Sequence, residues 1–390
     1  MKICLVSRGY PPEIFFGGIE TYIYNLAHGL SKLGHQVVIL AETKKETRFY
    51  MDGEVKIYRI STKDQSFLGK IFKTMTYRWR LSQELRKIIF KEEIEIIEVP
   101  DNSALSFFYS IRPIKNIPLV VRLHTPLFLF RKLNNYPPNN FKTKAIEWME
   151  KVVIKKADGL SSPSKMLAKI VADSLNFKKD KIKIIPNLVD TSFFSPSNRK
   201  AASPIVLFVG RLERIKGADI LIEAINKIDG NVPDAEFMLI GDSTPDFRIK
   251  LTARIKEYHL QNKVNLLGKI DYLKLPAYYQ KASLFVIPSR WDNFPGSCLE
   301  AEASGLPIIA SSVGGLKEQL VKDGKNGFLV APENASELAQ KMSLLLKNPE
   351  LRQQMGQESL KIVKNYQPSC VAEKMVEYYR QIIIKKKEQK

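Results

Sequence analysis

The sequence predicts an α/β protein with two parallel-sheet domains, because short apolar runs alternate with helical patterns in two separate series. The apolar runs are continuous rather than alternating, which is typical of strands that are covered on both faces. At 390 residues the chain is also longer than one hydrophobic core usually accommodates. A segment rich in Ser, Asn and Pro, residues 186–204, separates the two series. We therefore expect two Rossmann-like domains that face each other across a cleft.

The individual elements follow from the same patterns. In the first series, strands are predicted at Ile3–Val6, Val37–Leu40, Val55–Ile60, Ile94–Val99, Leu119–Leu123, Gly159–Ser161 and Lys183–Ile185. The helices between them are predicted at Gly18–Leu33, Lys70–Phe90, Phe141–Lys156 and Lys165–Leu175. In the second series, strands are predicted at Ile205–Val209, Phe237–Ile240, Val264–Leu267, Leu284–Ile287, Pro307–Ala310 and Phe328–Val330. A last helix is predicted at Cys370–Ile384.

Composition excludes several classes of protein. No run approaches 18 continuous apolar residues, so no transmembrane helix is expected, and the first apolar run is too short for a signal peptide. Cys4, Cys298 and Cys370 are scattered, with no C-x-x-C and four His in the chain, which argues against a zinc site. The net charge of +20 favours polyanionic partners: nucleic acid, an anionic membrane surface or a phosphorylated substrate.

The segment after the strand Leu284–Ile287 carries the clearest functional pattern. Asp292 lies in a turn-rich loop, and Glu300 follows eight positions later near the start of a helix. Because parallel α/β sheets bind ligands at the carboxyl ends of their strands, we expect both carboxylates to contact one polar ligand.

This segment resembles the signature of the family 4 retaining glycosyltransferases, which have the GT-B fold. The matching residues are Asp292, Phe294–Pro295, Leu299–Glu300–Ala301, Ser304–Gly305, Pro307, Gly314–Gly315 and Glu318. The family usually has Glu where this chain has Asp292, a side chain shorter by one methylene. The resemblance implies that Glu300 accepts hydrogen bonds from the ribose hydroxyls of a nucleotide and that Asp292 faces either the sugar hydroxyls or the departing phosphate. Gly314 and Gly315 are expected to supply N–H groups near the phosphates.

A second pattern predicts a diphosphate site. Gly210 ends the strand Ile205–Val209, and Arg211 and Lys216 follow on the loop before a helix. A strand end, a helix N-terminus and two cations suit a pyrophosphate. The spacing G-R-L-x-x-x-K-G is also similar to the family's diphosphate motif, which assigns Arg211 and Lys216 to the donor.

Three candidates lie in the first domain. Gly17 and Gly18 open a helix, where backbone N–H groups can approach an anion, although a tight turn alone would also use them. His124 follows the strand Leu119–Leu123, and its R-x-H-T context is similar to the family's, which implies a hydrogen bond to the transferred sugar. Asn187 lies in Pro-Asn-Leu-Val-Asp, which resembles an interdomain turn of the family with Leu188 in place of Gly. It is either a cap of that turn or part of the donor site.

We therefore expect a first, acceptor-binding domain at residues 1–195 and a second domain, binding the nucleotide-sugar, at 196–369. The resemblance implies that the last helix, about 370–390, packs back on the first domain. The basic amphipathic segment 70–80, together with 128–132 and the basic tail, either lies on an anionic membrane or packs its apolar stripe on the sheet.

The function expected is retaining transfer of a sugar from a UDP- or GDP-sugar to a carbohydrate or lipid-linked hydroxyl acceptor. We expect this reaction to serve cell-surface polysaccharide or glycolipid biosynthesis, in the cytoplasm or on the inner membrane face. No cofactor and no metal are expected, because the cations are side chains and no D-x-D is present in these segments. No nucleic-acid partner is expected, since no motif with interleaved aromatics occurs. Two alternatives stay open: an enzyme of the same fold that modifies the nucleotide-sugar, and a basic protein that binds polyanions.

Overall fold

The computed structural model describes residues 1–13, 17–62, 73–134, 141–197, 203–228, 230, 232 and 234–388. The chain divides into two compact units. Unit 1 combines Met1–Leu188 with Pro368–Lys390, and unit 2 is Val189–Gln367. The second unit thus starts seven residues before the expected boundary at 195. Val189 N–H donates to the Tyr366 carbonyl, and Phe194 packs into the core of unit 2, so this segment is already part of unit 2.

Unit 1 is built on a sheet that has eight strands in the described residues. They are β1 Lys2–Ser7, β2 Gln36–Thr43, β3 Arg48–Asp52, β4 Val55–Ser61, β5 Ile96–Pro100, β6 Leu119–Arg122, β7 Gly159–Ser162 and β8 Ile182–Ile184. Their order is β3-β4-β2-β1-β5-β6-β7-β8, and every pair is parallel except β3 with β4. The order reverses between β1 and β5, so the carboxyl ends of these two strands form the switch point of the sheet.

The helices of unit 1 cover this sheet. They are α1 Gly18–Lys32, α2 Lys73–Lys91, α3 Phe107–Ile111, α4 Leu127–Leu133, α5 Phe141–Lys156, α6 Lys165–Leu175 and α13 Pro368–Glu388. The last of them, α13, returns to unit 1 and packs against α1, where Gly29 leaves room for the backbone of Pro368. Tyr379 on α13 donates its hydroxyl to Glu98 Oε2 at 2.7 Å, inside the core of the sheet.

Unit 1 differs from the sequence-based expectation in strand β3, in helix α2 and in the short helices α3 and α4, which were not predicted. Strand β3 was not predicted because its side chains are largely exposed; among the described strands it pairs with β4 alone, as an antiparallel hairpin. Helix α2 begins at Lys73, and residues 70–72 of the predicted helix lie outside the described residues. Within α2, Arg78 is buried and donates from Nε (2.9 Å) and Nη2 (2.6 Å) to the Ser103 carbonyl. This cation is therefore part of the interior rather than of a solvated face.

Unit 2 contains a second sheet, parallel throughout its described strands. They are β9 Ile205–Val209, β10 Glu236–Ile240, β11 Val264–Gly268, β12 Leu284–Ile287, β13 Ile308–Ser311 and β14 Gly327–Val330, in the order β11-β10-β9-β12-β13-β14. Its helices are α7 Ala218–Ile228, α8 Pro245–Glu257, α9 Leu275–Lys281, α10 Gly296–Ala303, α11 Ala335–Lys347 and α12 Pro349–Val363, with a π-helical turn at Leu316–Leu320. The order reverses between β9 and β12, which makes their carboxyl ends the switch point.

The loops that leave β9 and β12 are in direct backbone contact. Gly217, with φ +72°, lies so close to the Pro288 carbonyl that a Cβ at this position would be 2.0 Å from its oxygen. Beside it, Arg290 N–H donates to the Ile215 carbonyl at 2.8 Å. Glycine is therefore required at 217 for both its backbone conformation and its lack of a side chain.

Replacing Gly217 by Ala should destabilise unit 2 by about 2–4 kcal/mol, because a strained φ and a clash with a carbonyl act together. Gly324 is a matched control, since it has φ +74° and open space around its Cβ position. Gly324→Ala should cost only about 1 kcal/mol, the penalty of the left-handed conformation. Urea unfolding of the full chain measures both values. Equal losses in the two variants would contradict the close approach.

Candidate functional site

Asp292 lies in the loop between β12 and α10 and is the centre of a small polar network. Its side chain is buried, and Oδ2 accepts hydrogen bonds from Lys216 Nζ at 2.7 Å and from Ser289 Oγ at 3.1 Å. Lys216 comes from the loop after β9, so the ion pair joins the two loops at the switch point of unit 2. The structure thus brings together two residues that the sequence assigned to one site although they are 76 positions apart.

The rest of the β9 loop places the second cation. Gly210 follows β9 directly, and its N–H donates to the Ile240 carbonyl at 3.0 Å, continuing the ladder with β10. Arg211 is half exposed and donates from Nη1 to Glu213 Oε1 at 2.8 Å. Its guanidinium therefore lies at the surface of the loop, where a ligand phosphate can compete with Glu213 for it.

Gly314 and Gly315 pack against the Asp292 loop. Gly314 has φ +46°, and a Cβ there would be 1.8 Å from the Asp292 carbonyl oxygen. Gly315 N–H donates to the Asn293 carbonyl at 2.7 Å. This N–H group was expected to lie near the phosphates, but it is occupied by Asn293. Because they lack side chains, the two glycines allow the backbone after β13 to contact the backbone of the Asp292 loop.

Glu300 lies on the second turn of α10 and is only 7% exposed. Its Oε2 accepts the hydroxyl proton of Tyr279, a residue of α9, at 2.7 Å. Burial raises the pKa of the Glu300 carboxyl to about 7, and the Tyr279 hydrogen bond opposes this shift. Near neutral pH the carboxyl is therefore balanced between its acidic and ionised forms.

His124 follows β6 in unit 1, near its switch point. Its backbone N–H donates to Asp101 Oδ2 at 3.0 Å, and its ring lies edge-on to Tyr22 with centroids 5.1 Å apart. Burial, and secondarily the charge of Arg122, hold the pKa of the imidazole well below its ordinary value. His124 is consequently a neutral hydrogen-bonding group at neutral pH.

Gly17 and Gly18 lie at the start of α1. Gly17 is the N-cap residue with an extended backbone, and no side chain caps the helix there. A Cβ added to Gly18 would meet no described atom within 4 Å, so the space beside it is open. Earlier in the chain, the carbonyls of Tyr10 (2.5 Å) and Pro11 (2.9 Å) accept hydrogen bonds from Arg59 Nη2. The proposed anion contact of the two glycines stays a prediction.

Asn187 belongs to unit 1 and lies one residue before the end of its first segment, Met1–Leu188. Its Oδ1 accepts a hydrogen bond from Arg122 Nη2 at 2.9 Å, and Arg122 Nη1 also donates to the Ile185 carbonyl at 2.7 Å. These contacts tie the end of unit 1 to β6. Leu188, which replaces the family's Gly, packs in the core of unit 1. The contacts seen for Asn187 are structural.

A pair of buried carboxyl groups beneath the His124 loop was not predicted from the sequence. Asp101 follows β5, and burial raises the pKa of its side chain to about 7. Glu150 on α5 accepts hydrogen bonds from Ser103 N–H (2.8 Å) and Leu127 N–H (2.7 Å). Burial and the neighbouring Asp101 raise the pKa of Glu150 to about 8. Asp101 could have been predicted as His124 was, because it is a polar residue directly after a strand. Glu150 lies in the middle of a helix, where no sequence pattern indicates a functional residue.

Tyr279 and Ser289 were missed as well. Ser289 follows β12 and lies only three positions before Asp292, so its place in the loop was a usable signal. Tyr279 is one of two consecutive tyrosines on α9, and nothing in the sequence distinguishes it from Tyr278.

None of the described helices is both long and apolar enough to cross a membrane. Across the same part of the chain, no group of three or more His, Cys, Asp or Glu side chains is arranged so that it could hold a metal ion.

Comparison with known proteins places the chain in a family. Residues 190–361 match the family "Glycosyl transferases group 1", and residues 16–193 match "Glycosyltransferase Family 4". An uncharacterized glycosyltransferase of Methanocaldococcus jannaschii is 26% identical over 97% of this chain and 98% of its own length.

Solved structures confirm the predicted fold class. Sucrose-phosphate synthase from Thermosynechococcus elongatus superposes with a TM-score of 0.80 at 23% identity, over 98% of this chain and 99% of that one. HepE of Anabaena, in complex with UDP-glucose, superposes with a TM-score of 0.73 at 19% identity, over 98% and 100% of the two chains. Because the two family matches together span residues 16–361, the chain belongs to the family 4 glycosyltransferases, and the superpositions show that this glycosyltransferase has the GT-B fold.

Proposed function

We propose that this enzyme transfers a sugar from a UDP- or GDP-sugar to a hydroxyl acceptor with retention of the anomeric configuration. The observation that carries the proposal is the Lys216–Asp292 pair at the switch point of unit 2, with Glu300 on the helix that follows. A cation, a carboxylate that faces the sugar and a carboxylate for the ribose are the groups that a nucleotide-sugar requires. The complex of HepE with UDP-glucose supports a donor of this class.

The two cations account for the chemistry at the diphosphate. A diphosphate leaving group gains negative charge as its bond to the sugar breaks, and fixed cations stabilise that charge. Arg211 grips two oxygens at once, whereas Lys216 acts as a point charge. Since Asp292 Oδ2 holds the Lys216 ammonium at 2.7 Å, the charge has a fixed position. We propose that these side chains take the part that a metal ion plays in other transferases.

Retention follows from attack on the same face that the leaving group departs from. The bond between the anomeric carbon and the phosphate oxygen breaks, and the acceptor oxygen bonds to that carbon on the same face. The acceptor's proton passes to the departing phosphate oxygen. His124, neutral at neutral pH, would donate or accept a hydrogen bond at the sugar. The acceptor proposed is a carbohydrate or a lipid-linked glycan, in cell-surface polysaccharide or glycolipid synthesis.

The donor assignment is tested by calorimetric binding of UDP-glucose, UDP-N-acetylglucosamine, GDP-mannose and ADP-glucose. Wild type should bind one of the three UDP- and GDP-sugars, and Glu300→Ala should weaken that binding at least tenfold, because hydrogen bonds to a carboxylate contribute about 1.5–3 kcal/mol. Unchanged affinity in the variant would remove Glu300 from the site. Binding of none would refute the donor proposal and leave a polyanion-binding protein as the alternative.

Arg211→Ala combined with Lys216→Ala should lower kcat about 100-fold or more, because no fixed cation then stabilises the negative charge that develops on the diphosphate leaving group. Arg254→Ala with Lys256→Ala, on the exposed end of α8, removes the same charge elsewhere and should leave the rate within a few-fold of wild type. The wild-type rate should also survive excess EDTA. A rate that EDTA abolishes and Mg²⁺ or Mn²⁺ restores would refute the metal-independent mechanism.

We also propose that unit 1 lies against an anionic membrane surface. Helix α5 exposes two large aromatic side chains, Phe141 at 87% and Trp148 at 59%, among exposed lysines that include Lys142 and Lys144. On α2, Trp79 is exposed at 53%. Aromatic rings next to lysines on a helix suit the headgroup region of anionic lipids.

Vesicle flotation tests this contact. The enzyme should float with vesicles that contain phosphatidylglycerol and not with pure phosphatidylcholine, and Lys142→Glu with Lys144→Glu should abolish flotation. The control is Lys250→Glu with Lys256→Glu on α8, which changes the net charge equally. Equal losses of flotation in both variants would show that binding depends on net charge and not on α5, which would contradict the proposed contact. Wild type that does not float would refute the proposal.

A further inference from the structure

The hydrogen bond between Tyr279 and Glu300 is the only one that the described part of the chain gives to the Glu300 carboxylate. Tyr279 is fully buried, and its hydroxyl lies 2.7 Å from Glu300 Oε2. The Ser297 carbonyl is farther away, at 3.3 Å, so the carboxylate is the nearer acceptor for the single hydroxyl proton. Glu300 is therefore held from the interior of unit 2, through one oxygen.

The position of the Tyr279 hydroxyl is fixed by aromatic packing. Its ring lies perpendicular to Phe194 with centroids 5.5 Å apart, and 5.9 Å from the ring of Phe285 on β12. A buried ring between two other rings has little freedom to rotate. Because the ring is fixed, the hydroxyl oxygen is fixed as well, and its hydrogen bond to Oε2 selects one orientation of the Glu300 carboxylate.

The other carboxylate oxygen faces the start of α10. Glu300 Oε1 lies 3.9 Å from the position that a Cβ of Gly296 would occupy, and no donor in the described residues reaches it. An ionised carboxylate accepts about four hydrogen bonds. Oε1, which Tyr279 does not contact, is thus the oxygen with the most remaining capacity to accept hydrogen bonds.

We propose that Tyr279 is a positioning residue of the donor site, which holds Glu300 Oε2 from the interior so that Oε1 is presented to the ribose hydroxyls of the nucleotide. This inference rests on the proposed function, and it adds the residue on which the ribose contact depends. Tyr279 does not touch the donor; it acts through Glu300.

The arrangement also predicts a pH dependence. Ribose hydroxyls donate to an ionised carboxylate, and burial raises the pKa of Glu300 to about 7. The hydrogen bond from Tyr279 stabilises the ionised form, so its removal raises this pKa further. Among the described residues, Tyr272 and Cys298 also act electrostatically on Tyr279, and burial raises the pKa of Cys298 well above its usual value. Donor affinity should therefore fall as the pH drops through about 7. Without the Tyr279 hydroxyl, this loss of affinity should begin at a higher pH.

The test measures the binding of UDP and GDP by calorimetry between pH 6 and 9, with wild type, Tyr279→Phe, Tyr278→Phe, Glu300→Gln and the double variant Tyr279→Phe with Glu300→Gln. Tyr279→Phe should weaken binding of the preferred nucleotide about tenfold at pH 7 and move the fall in affinity to higher pH. Tyr278→Phe is the matched control, since it removes a hydroxyl from the same helix that has no partner in the described residues, and it should change neither quantity.

Coupling between the two side chains separates positioning from packing. If Tyr279 acts through Glu300, Tyr279→Phe should have almost no further effect on affinity in the Glu300→Gln background. The 2′-deoxy form of the preferred nucleotide should likewise bind to Tyr279→Phe almost as tightly as it binds to wild type. Unfolding temperatures of all variants serve as the control for stability.

The outcomes distinguish this inference from the proposed function. If Glu300→Gln weakens binding while Tyr279→Phe behaves like Tyr278→Phe, the positioning role alone is overturned. An additive double variant would also overturn it, because a structural effect would then explain the loss. If wild type binds neither UDP nor GDP, or Glu300→Gln binds as wild type does, the proposed donor site fails and the inference falls with it.

Discussion

The candidate donor site depends on backbone-to-backbone contact at the carboxyl edge of the second sheet. The carbonyl of Pro288 leaves no room for a side chain at 217, and the carbonyl of Asp292 leaves none at 314. Three loops, after β9, β12 and β13, can therefore touch without intervening side chains. This contact fixes the distance between Lys216 and Asp292, which are far apart in the sequence, and it sets where α10 begins. A loop packed in this way loses little conformational freedom when a ligand binds, which favours affinity.

Unit 1 depends on a different constraint, a carboxyl group buried in the middle of its sheet. Glu98 on β5 is fully buried and accepts hydroxyl protons from Tyr22 on α1 (3.1 Å) and Tyr379 on α13 (2.7 Å). A buried carboxyl without partners is strongly destabilising, so the two helices are held in one register on the sheet. Tyr22 also lies beside the His124 ring and under the Arg122 guanidinium. The core of the sheet and the polar residues at its edge therefore share one network.

The sequence was sufficient to predict most strands and to assign Lys216 and Asp292 to one site, because continuous apolar runs and strand-end polar residues are local signals. Strand β3 gave no such signal, since an exposed edge strand buries little apolar surface. Hydrogen bonding of Gly315 to Asn293 was also unpredictable, because a Gly-Gly pair indicates space and not the partner of each N–H group. Tyr279 could not be told from Tyr278, since their difference lies in which one faces Glu300, and that depends on tertiary packing.

The discontinuity of unit 1 has a consequence for the order in which the protein is made. All of unit 2 lies between the two segments of unit 1, and Tyr379 follows Glu98 by 281 positions. On the ribosome, unit 2 is therefore complete before α13 has been synthesised, while Glu98 still lacks one of its two hydroxyl partners. Since domains generally fold as units, the second unit would mature first even though the first sheet begins at the N-terminus. The nascent first sheet would meanwhile keep the face that α13 covers open until the last helix arrives.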